Sequence, residues 1–428
     1  PQVGIGLVKL YQATGEKRYL KLAEFIVHNG NHARPPDKGN GESHKPIRQQ
    51  RKAWGHCVRT MYLYSGLADL VGHLDDEPSR AALESLWNSV VEHKMYITGG
   101  IGDGTPAEQH GDDYHLPNDK AYCECCASIA MAMWNHRMNL LYGDARYADL
   151  MELEAYNSAL SGISLGGTEY FYQNKLAVGR QHRRRRRYIF CCPTNLPRFI
   201  AGIGRWVYAQ DKDGIYVNMY IAGVANITLG EDAVQIKQKT HYPWDGKIAI
   251  SVELEKTKTF DVCLRIPGWA QNRPVPSDLY RFSEADAPPV TLKVNGKTIA
   301  TPETQKGYVR VHRHWKKGDT VELNLPMPLR RVYAHPNVRA DIGRVALMRG
   351  PLVYCLEAAD NNGSVFNLSL PDDAELTAQH RDDLLGGVTV LHGKGLRDGK
   401  TPVEITAVPY YAWDNRDMGE MLVWLPEK

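Results

Sequence analysis

The sequence lacks any run of about 18 consecutive apolar residues, the length that a membrane-spanning helix needs, and this excludes a transmembrane protein. Charge of one sign is also lacking: 52 Lys and Arg against 49 Asp and Glu give a formal net charge of +3, which indicates no nucleic-acid or anionic-membrane partner. Cysteine is scarce, with eight in 428 residues, which excludes a small fold held by disulfides. Hydrophobic residues (43%) and charged residues (24%) are at ordinary globular levels, and the length predicts about two to four domains.

One local exception to the balanced charge is a run of five arginines, Arg183 to Arg187. A phosphate-binding patch normally spreads basic residues over a face that also carries aromatics, so a solvated edge is the favoured interpretation and we expect no nucleic-acid partner. The chain begins at Pro1 without Met and without a signal-peptide pattern, as if in mid-fold. Clustered reduced thiols favour a cytoplasmic location, and a homodimer is left open.

The first two hundred residues have helical periodicity. The turn motif Gly15-Glu16-Lys17-Arg18-Tyr19 returns as Gly143-Asp144-Ala145-Arg146-Tyr147, and repeated helical hairpins indicate a helical array or an α/α toroid. A closed toroid of six hairpins needs twelve helices, whereas about seven can be counted before residue 206. Either the chain carries a partial barrel, which is the favoured interpretation, or it has a different all-helical arrangement. The predicted helices span about 3–14, 17–28, 52–73, 78–93, 122–142, 145–163 and 194–208.

After Trp206 the apolar period changes to two, which is typical of half-buried strands. Asn295-Gly296 is a hairpin signal, and residues 280–289 are interpreted as an inserted surface loop. The pattern predicts two β-sandwich modules, with domains at 1–206, 207–329 and 330–428. The predicted strands are 214–220, 247–254, 262–266, 308–311, 320–325, 344–348 and 351–354.

A glycine-rich stretch, residues 98–108, ends on the carboxylate of Glu108. It has no Gly-Lys-Ser/Thr ending and no preceding strand, so it is a poor phosphate-binding loop, although its glycines let the backbone approach a ligand closely. Taken alone, Glu108 is interpreted as a solvated acid. By the same standard His56 is a structural histidine and Tyr172 a core aromatic.

Five of the cysteines fall in two clusters, Cys123/Cys125/Cys126 and Cys191/Cys192, about 65 residues apart. Zinc takes four ligands from Cys, His and carboxylate side chains, and two such clusters are a way of bringing four together. Cys126 opens an apolar helix, whose positive N-terminus lowers the pKa of a thiol placed there. Spacing alone leaves three interpretations open: a metal site, buried free cysteines and a strained vicinal disulfide.

These motifs resemble glycoside hydrolase family 127, whose members carry a glycine-rich loop leading to Glu, a Glu-x-Cys and a later Cys-Cys-Pro. Here they are 98–108, Glu124-Cys125-Cys126 and Cys191-Cys192-Pro193, in that order. The resemblance covers essentially the whole chain. It implies an (α/α)6 barrel with two attached β-sandwich modules. It also implies retaining hydrolysis of terminal β-L-arabinofuranosyl units, as found on plant hydroxyproline-rich glycoproteins.

The resemblance also implies a role for each matching residue. Cys191 is the implied nucleophile, Glu108 the implied general acid/base, and His56 and Tyr172 match positions that contact the sugar. The implied zinc ligands are Glu124, Cys126, Cys191 and Cys192.

The chain departs from the family pattern at three positions. Cys125 stands where a small polar residue such as Thr is usual and becomes a rival ligand to Cys126. Ala107 replaces a Gly and Lys175 replaces a Pro.

Two other functions stay open at this point. One is an inverting toroid glycosidase that pairs Glu108 with Asp112 or Asp113 and keeps zinc as a structural part. The other is a non-catalytic carbohydrate-binding or scaffold protein.

Overall fold

The computed structural model describes residues 2–29, 45–103, 108–180, 191–299 and 303–428. The arginine run 183–187 and Ala107 lie outside these segments, so the expectations attached to them stay predictions. No helix in the described part of the chain combines the length and the apolar character that crossing a membrane requires.

The first two hundred residues are helical, as predicted. Three helix starts differ from the prediction by more than one residue. The third helix begins at Cys57 rather than 52, because Gly55 adopts a φ of 91° that no α-helix accommodates. The fifth begins at Cys125 rather than 122, because Cys123 has a φ of 38°. The last begins at Cys192 rather than 194, with Pro193 tolerated in its first turn. The described segments contain α1 (Gln2–Thr14), α2 (Lys17–Asn29), α3 (Cys57–Val71), α4 (Glu77–His93), α5 (Cys125–Tyr142), α6 (Ala145–Leu153) and α7 (Cys192–Gly202).

Helix α5 is the centre of this helical part. It packs against α3, α6 and α7, and nearly every residue from Cys125 to Asn139 is buried, so the helix is enclosed on all sides rather than only on one face. Gly143 ends it in the left-handed conformation, and Asp144 then caps α6 by accepting the Arg146 backbone N–H. The repeated Gly-Asp motif is thus a helix stop followed by a helix start.

The remainder of the chain is β-rich. The strands are β1 (Ala177–Val178), β2 (Tyr208–Gln210), β3 (Gly214–Val217), β4 (Gly223–Leu229), β5 (Asp232–Thr240), β6 (Lys247–Leu254), β7 (Lys258–Arg265), β8 (Tyr280–Phe282), β9 (Thr291–Val294), β10 (Lys297–Ile299), β11 (Tyr308–Trp315), β12 (Asp319–Asn324), β13 (Leu329–Ala334), β14 (Arg344–Arg349), β15 (Leu352–Glu357), β16 (Leu368–Ser369), β17 (Leu376–Arg381), β18 (Val388–Arg397), β19 (Thr401–Pro409), β20 (Met421–Leu422) and β21 (Leu425–Pro426).

The strands form three sheets. A six-stranded sheet has the order β10-β9-β12-β6-β5-β4, and a four-stranded sheet has the order β11-β7-β3-β2. An eleven-stranded sheet follows β16-β18-β19-β15-β14-β13-β8, with β1, β17, β20 and β21 attached at its sides. The hairpin predicted at Asn295-Gly296 is confirmed: both residues have positive φ and join β9 to β10.

The interpretation of residues 280–289 as a surface loop was wrong at its beginning. Residues Tyr280 to Phe282 form β8, which pairs with β13, and Tyr280 is buried with its hydroxyl donating to the Met95 carbonyl at 2.9 Å. A strand of three residues is too short to show alternation, and its partner lies about fifty residues further along the chain.

A buried ion-pair network joins the helices to the four-stranded sheet. Arg265 on β7 is fully buried, and its guanidinium donates to Asp149 at 2.7 Å and to Glu152 at 2.5 Å, both on α6. The Tyr242 hydroxyl donates to the same Glu152 oxygen at 2.7 Å. Because the Arg265 side chain is shielded from solvent, water cannot replace these partners if they separate. The network therefore holds β7 against α6.

Candidate metal centre and active site

The first half of the candidate centre lies at the start of α7. Cys191 is the N-cap residue and is exposed, whereas Cys192, one residue on, is buried. The Thr194 hydroxyl donates to the Cys191 carbonyl at 2.9 Å, which fixes the turn. Thiolates at this end of a helix are stabilised by the unpaired backbone N–H groups and the positive end of the helix dipole.

The second half lies at the start of α5. Glu124 is the N-cap residue and Cys126 stands in the first turn, and both side chains are buried. The sulfur of Cys126 lies 3.5 Å from that of Cys192. Two helix N-termini therefore meet with their acidic groups facing each other, an arrangement that favours anionic side chains.

The four side chains form one compact group. Cys191 Sγ lies 3.8 Å from Cys192 Sγ, and each sulfur lies 3.7 Å from Glu124 Oε1. One ligand atom from each of Glu124, Cys126, Cys191 and Cys192 falls within 4.8 Å of all the others. All eight cysteines lie in described segments and all are free, so the vicinal disulfide interpretation was wrong.

This group fits a metal ion on its own chemistry. Glu124 Oε2 is buried and has no hydrogen-bond partner among the described residues. Burial, followed by the negative charges of Cys191 and Glu108, raises the pKa of Glu124 to about 8. Hydrogen bonds from the Cys126 and Cys192 thiols lower the pKa of Cys191. A divalent cation would balance this uncompensated negative charge, and three sulfurs with one carboxylate are a donor set that suits zinc.

Cys125, the rival ligand, points elsewhere. Its sulfur lies 3.1 Å from the Phe171 carbonyl and accepts the side-chain N–H of Asn174 at 3.1 Å. Successive residues on a helix project in different directions, so only one of Cys125 and Cys126 can face the Cys191/Cys192 pair. The structure brings Cys126, and not Cys125, into the group of four.

The carboxylate of Glu108 is held by three side chains. His56 Nε2 lies 2.9 Å from Oε2, and the hydroxyls of Tyr122 and Tyr172 donate to Oε1 at 3.0 and 2.8 Å. Burial lowers the pKa of His56 and raises that of Tyr122, so both side chains are neutral near pH 7. No pattern along the chain singles out Tyr122, because a tyrosine before a cysteine cluster is typical of an ordinary core.

Tyr172 connects Glu108 to the cysteine group. Its carbonyl accepts the Cys125 backbone N–H at 3.3 Å, and the following residue, Gln173, forms a β-bridge with Glu124. Burial raises the pKa of the Tyr172 hydroxyl, and the negative charge of Glu124 raises it further, because the two side chains are close together. The sequence-predicted site residues His56, Glu108, Glu124 and Tyr172 thus lie around one region.

The described glycines of the glycine-rich stretch lie close to neighbouring residues. Gly99 has a φ of 81°, and a Cβ there would lie 2.9 Å from Glu154 Cγ. Gly102 has a φ of 99°, and a Cβ there would lie 3.3 Å from Cys57 Sγ. Gly99 therefore requires glycine for both backbone conformation and space, whereas Gly102 requires it mainly for backbone conformation.

Asp113, an alternative catalytic partner for Glu108 in the sequence analysis, forms ion pairs with two lysine side chains. Its carboxylate lies 2.5 Å from Lys52 Nζ and 2.9 Å from Lys94 Nζ, and these two lysines lower its pKa. Lys94 is buried, so this group neutralises a buried amine. The arrangement favours a structural role for Asp113.

Models of one protein family match nearly the whole chain. The β-L-arabinofuranosidase GH127 catalytic domain matches residues 1–205, the GH127 middle domain 214–327, and the family 127 C-terminal domain 329–426. A non-reducing end β-L-arabinofuranosidase of Bifidobacterium longum is 33% identical over 99% of this chain and 70% of its own length.

Solved structures give the same result. A GH127 β-arabinofuranosidase structure superposes with a TM-score of 0.95 and 39% identity, over 100% of this chain and 68% of that one. A GH127 β-L-arabinofuranosidase from Geobacillus stearothermophilus T6 superposes with a TM-score of 0.90 and 37% identity, over 99% of this chain and 72% of that one. The helical first part and the β-rich remainder are consistent with these structures, and the chain belongs to glycoside hydrolase family 127.

Proposed function

We propose that the chain is a retaining glycoside hydrolase that releases terminal β-L-arabinofuranose, with zinc-bound Cys191 as nucleophile and Glu108 as general acid/base. The observation that carries the proposal is that Cys191 is the one exposed member of an otherwise buried group of four ligands. A sulfur held by such a group, yet open to solvent, can reach a substrate. The substrate is supported by the activity named for the Bifidobacterium longum relative.

Cys191 would attack the anomeric carbon and form a covalent glycosyl-enzyme intermediate. Zinc held by Glu124, Cys126, Cys191 and Cys192 would keep this sulfur deprotonated near neutral pH and make it a better leaving group afterwards. Because the backbone N–H groups at the start of α7 also help to lower the pKa of Cys191, part of the activation comes from the fold itself.

Glu108 would protonate the leaving oxygen in the first step and take a proton from water in the second, since microscopic reversibility assigns both to one group. Tyr122 and Tyr172 bind one of its oxygens and His56 the other, so the carboxylate is held in one orientation. We further propose that His56 and Tyr172 contact the sugar, because both bind the Glu108 carboxylate. Tyr172 is half-buried, and the His56 side chain, although buried, keeps 11% exposure beside that carboxylate.

The proposal extends to the architecture. The seven described helices would form part of an (α/α)6 barrel over residues 1–206. Two β-sandwich modules would follow at 207–329 and 330–428, although β8 crosses that boundary to pair with β13. The inner residues of the six-stranded and four-stranded sheets share one hydrophobic core, which supports the first sandwich.

The test is turnover of a chromogenic β-L-arabinofuranoside, with the configuration of the first-formed product followed by NMR. We expect a β product from the wild-type protein and loss of turnover by at least about 10³-fold in Cys191→Ser. Cys263→Ser is the matched control, because Cys263 is also a free cysteine but lies on β7 outside the group of four. Inverted product, or Cys191→Ser with wild-type turnover, would refute the mechanism.

A further inference from the structure

Glu108 is held in a backbone conformation that glutamate disfavours. Its φ is 66°, in the left-handed region that suits glycine. Such a conformation persists only where the surroundings impose it, and residues held this way cluster at functional sites.

The main chain from Glu108 to His110 is joined to the segment that leads into α3. The Cys57 backbone N–H donates to the Glu108 carbonyl at 2.8 Å, and the His110 backbone N–H donates to the Gly55 carbonyl at 3.0 Å. Between these two bonds, His56 and Gln109 form an antiparallel bridge. The segment carrying Glu108 and the segment carrying His56 therefore run as a short two-stranded ribbon.

The side chain of His110 reinforces this ribbon from within the protein. It is 3% exposed, and its Nε2 lies 3.0 Å from the Thr60 hydroxyl. That hydroxyl in turn donates to the carbonyls of His56 (3.1 Å) or Cys57 (3.0 Å) in the first turn of α3. When the Thr60 proton is donated to one of those carbonyls, the hydroxyl oxygen accepts the Nε2 proton of His110. Burial lowers the pKa of His110 to about 3, so the ring stays neutral at working pH.

We propose that His110 and Thr60 are positioning residues that set the distance between His56 and the Glu108 carboxylate. Neither touches the four-ligand group, and neither side chain is among those that bind the carboxylate. The imidazole, the hydroxyl and the first-turn carbonyls form one chain of hydrogen bonds from the Glu108 segment to the His56 segment. The inference rests on the proposed role of Glu108 as acid/base.

Thr60→Val tests this with the same side-chain shape and no hydroxyl. It leaves the His110 N–H buried without an acceptor, and we expect kcat to fall about 10-fold or more while KM changes less than about 3-fold. The limb of the pH–rate profile that reports Glu108 should shift as well. Thr60→Ser, which restores the hydroxyl, should recover most of kcat.

The matched control is Ser79→Ala, which breaks another buried contact between a histidine and a hydroxyl. His28 Nε2 lies 3.2 Å from the Ser79 hydroxyl, on α2 and α4, two helices that contribute no residue to the site. We expect this variant to lower the unfolding temperature without changing kcat or the pH profile. If Thr60→Val behaves like Ser79→Ala, the pair is merely structural and the inference is overturned.

Hydrogen exchange gives a readout that needs no substrate. The backbone amides of Cys57 and His110 should exchange about 10-fold faster in Thr60→Val than in the wild type, and at the wild-type rate in Ser79→Ala. Unchanged exchange in Thr60→Val would overturn the inference even if kcat fell. If the exchange rates of the variants differ as expected but the wild-type protein does not cleave the arabinofuranoside, the proposed function is refuted. The reinforcement of the ribbon by His110 and Thr60 would then still stand.

Discussion

Replacing Arg265 by Met should be the most destabilising single change at the junction of the helical and β-rich parts. Its side chain is fully buried between Asp149 and Glu152, so the substitution leaves two carboxylates without their cation. Removing one partner of a buried ion pair costs about 3–5 kcal/mol. For a cooperative unit of about 200 residues this corresponds to a fall in Tm of about 6–20 °C.

The assay is thermal and urea unfolding of the purified protein, with Arg381→Met as the matched control. Arg381 makes a two-bond contact with Asp383 at 2.8 and 2.7 Å, nearly as close as the contacts of Arg265, but the two side chains are 40% and 70% exposed. Water replaces the lost contact at the surface, so this variant should unfold with the wild type.

The pH dependence gives a second check on the same reasoning. Burial raises the pKa of Asp149, and Arg265 opposes that effect in the wild-type protein. Without Arg265 the Asp149 carboxyl should bind a proton more readily, so the deficit of the variant should shrink as the pH falls below neutral. A deficit below about 1 kcal/mol, or one equal to that of Arg381→Met, would refute the argument from burial.

Cys126→Ser should lower bound zinc well below stoichiometric, measured by atomic absorption, whereas Cys125→Ser should retain it because its sulfur faces the Phe171 carbonyl; equal losses would contradict the ligand assignment. Tyr122→Phe removes one of two hydroxyls on Glu108 Oε1 and should lower kcat about 10-fold; an unchanged rate would show that the Tyr172 hydroxyl suffices. Burial raises the pKa of Glu154 well above 4.5, so the contribution of its protonated carboxyl to the stability of the folded state is complete below pH 4.5 and declines as the pH rises. Glu154→Gln should therefore raise the unfolding midpoint at pH 8 but not at pH 4.

Helix ends and strands were predicted well where residues close together in the sequence determine them. The Gly143-Asp144 stop and start was visible because a left-handed glycine and an Asp cap are both sequence signals. Strand β6 was predicted at its observed bounds, because its alternating burial repeats over eight residues. In contrast, β8 depends on a distant partner for its existence and left no trace in its three residues.

The candidate site was predictable only in part. Clustered cysteines and Glu124 were visible as residue types, and the meeting of two helix N-termini brings them together. The choice of Cys126 over Cys125 depends on which way α5 is turned about its axis, and that rotation is set by packing against α3, α6 and α7. Tyr122 and His110 belong to the site only through contacts with Glu108 or its segment, so no pattern along the chain identifies them.

The pairing of β8 with β13 also bears on how this chain can be divided. The family middle domain ends at residue 327, yet a fragment cut there would carry β8 (Tyr280–Phe282) as a strand without its pairing partner β13. The C-terminal fragment would in turn lose the outermost strand of its largest sheet. Open backbone edges of this kind recruit other chains, so fragments separated at that point should aggregate when expressed singly and recover when co-expressed. The two units are better treated as one piece in any recombination or fusion.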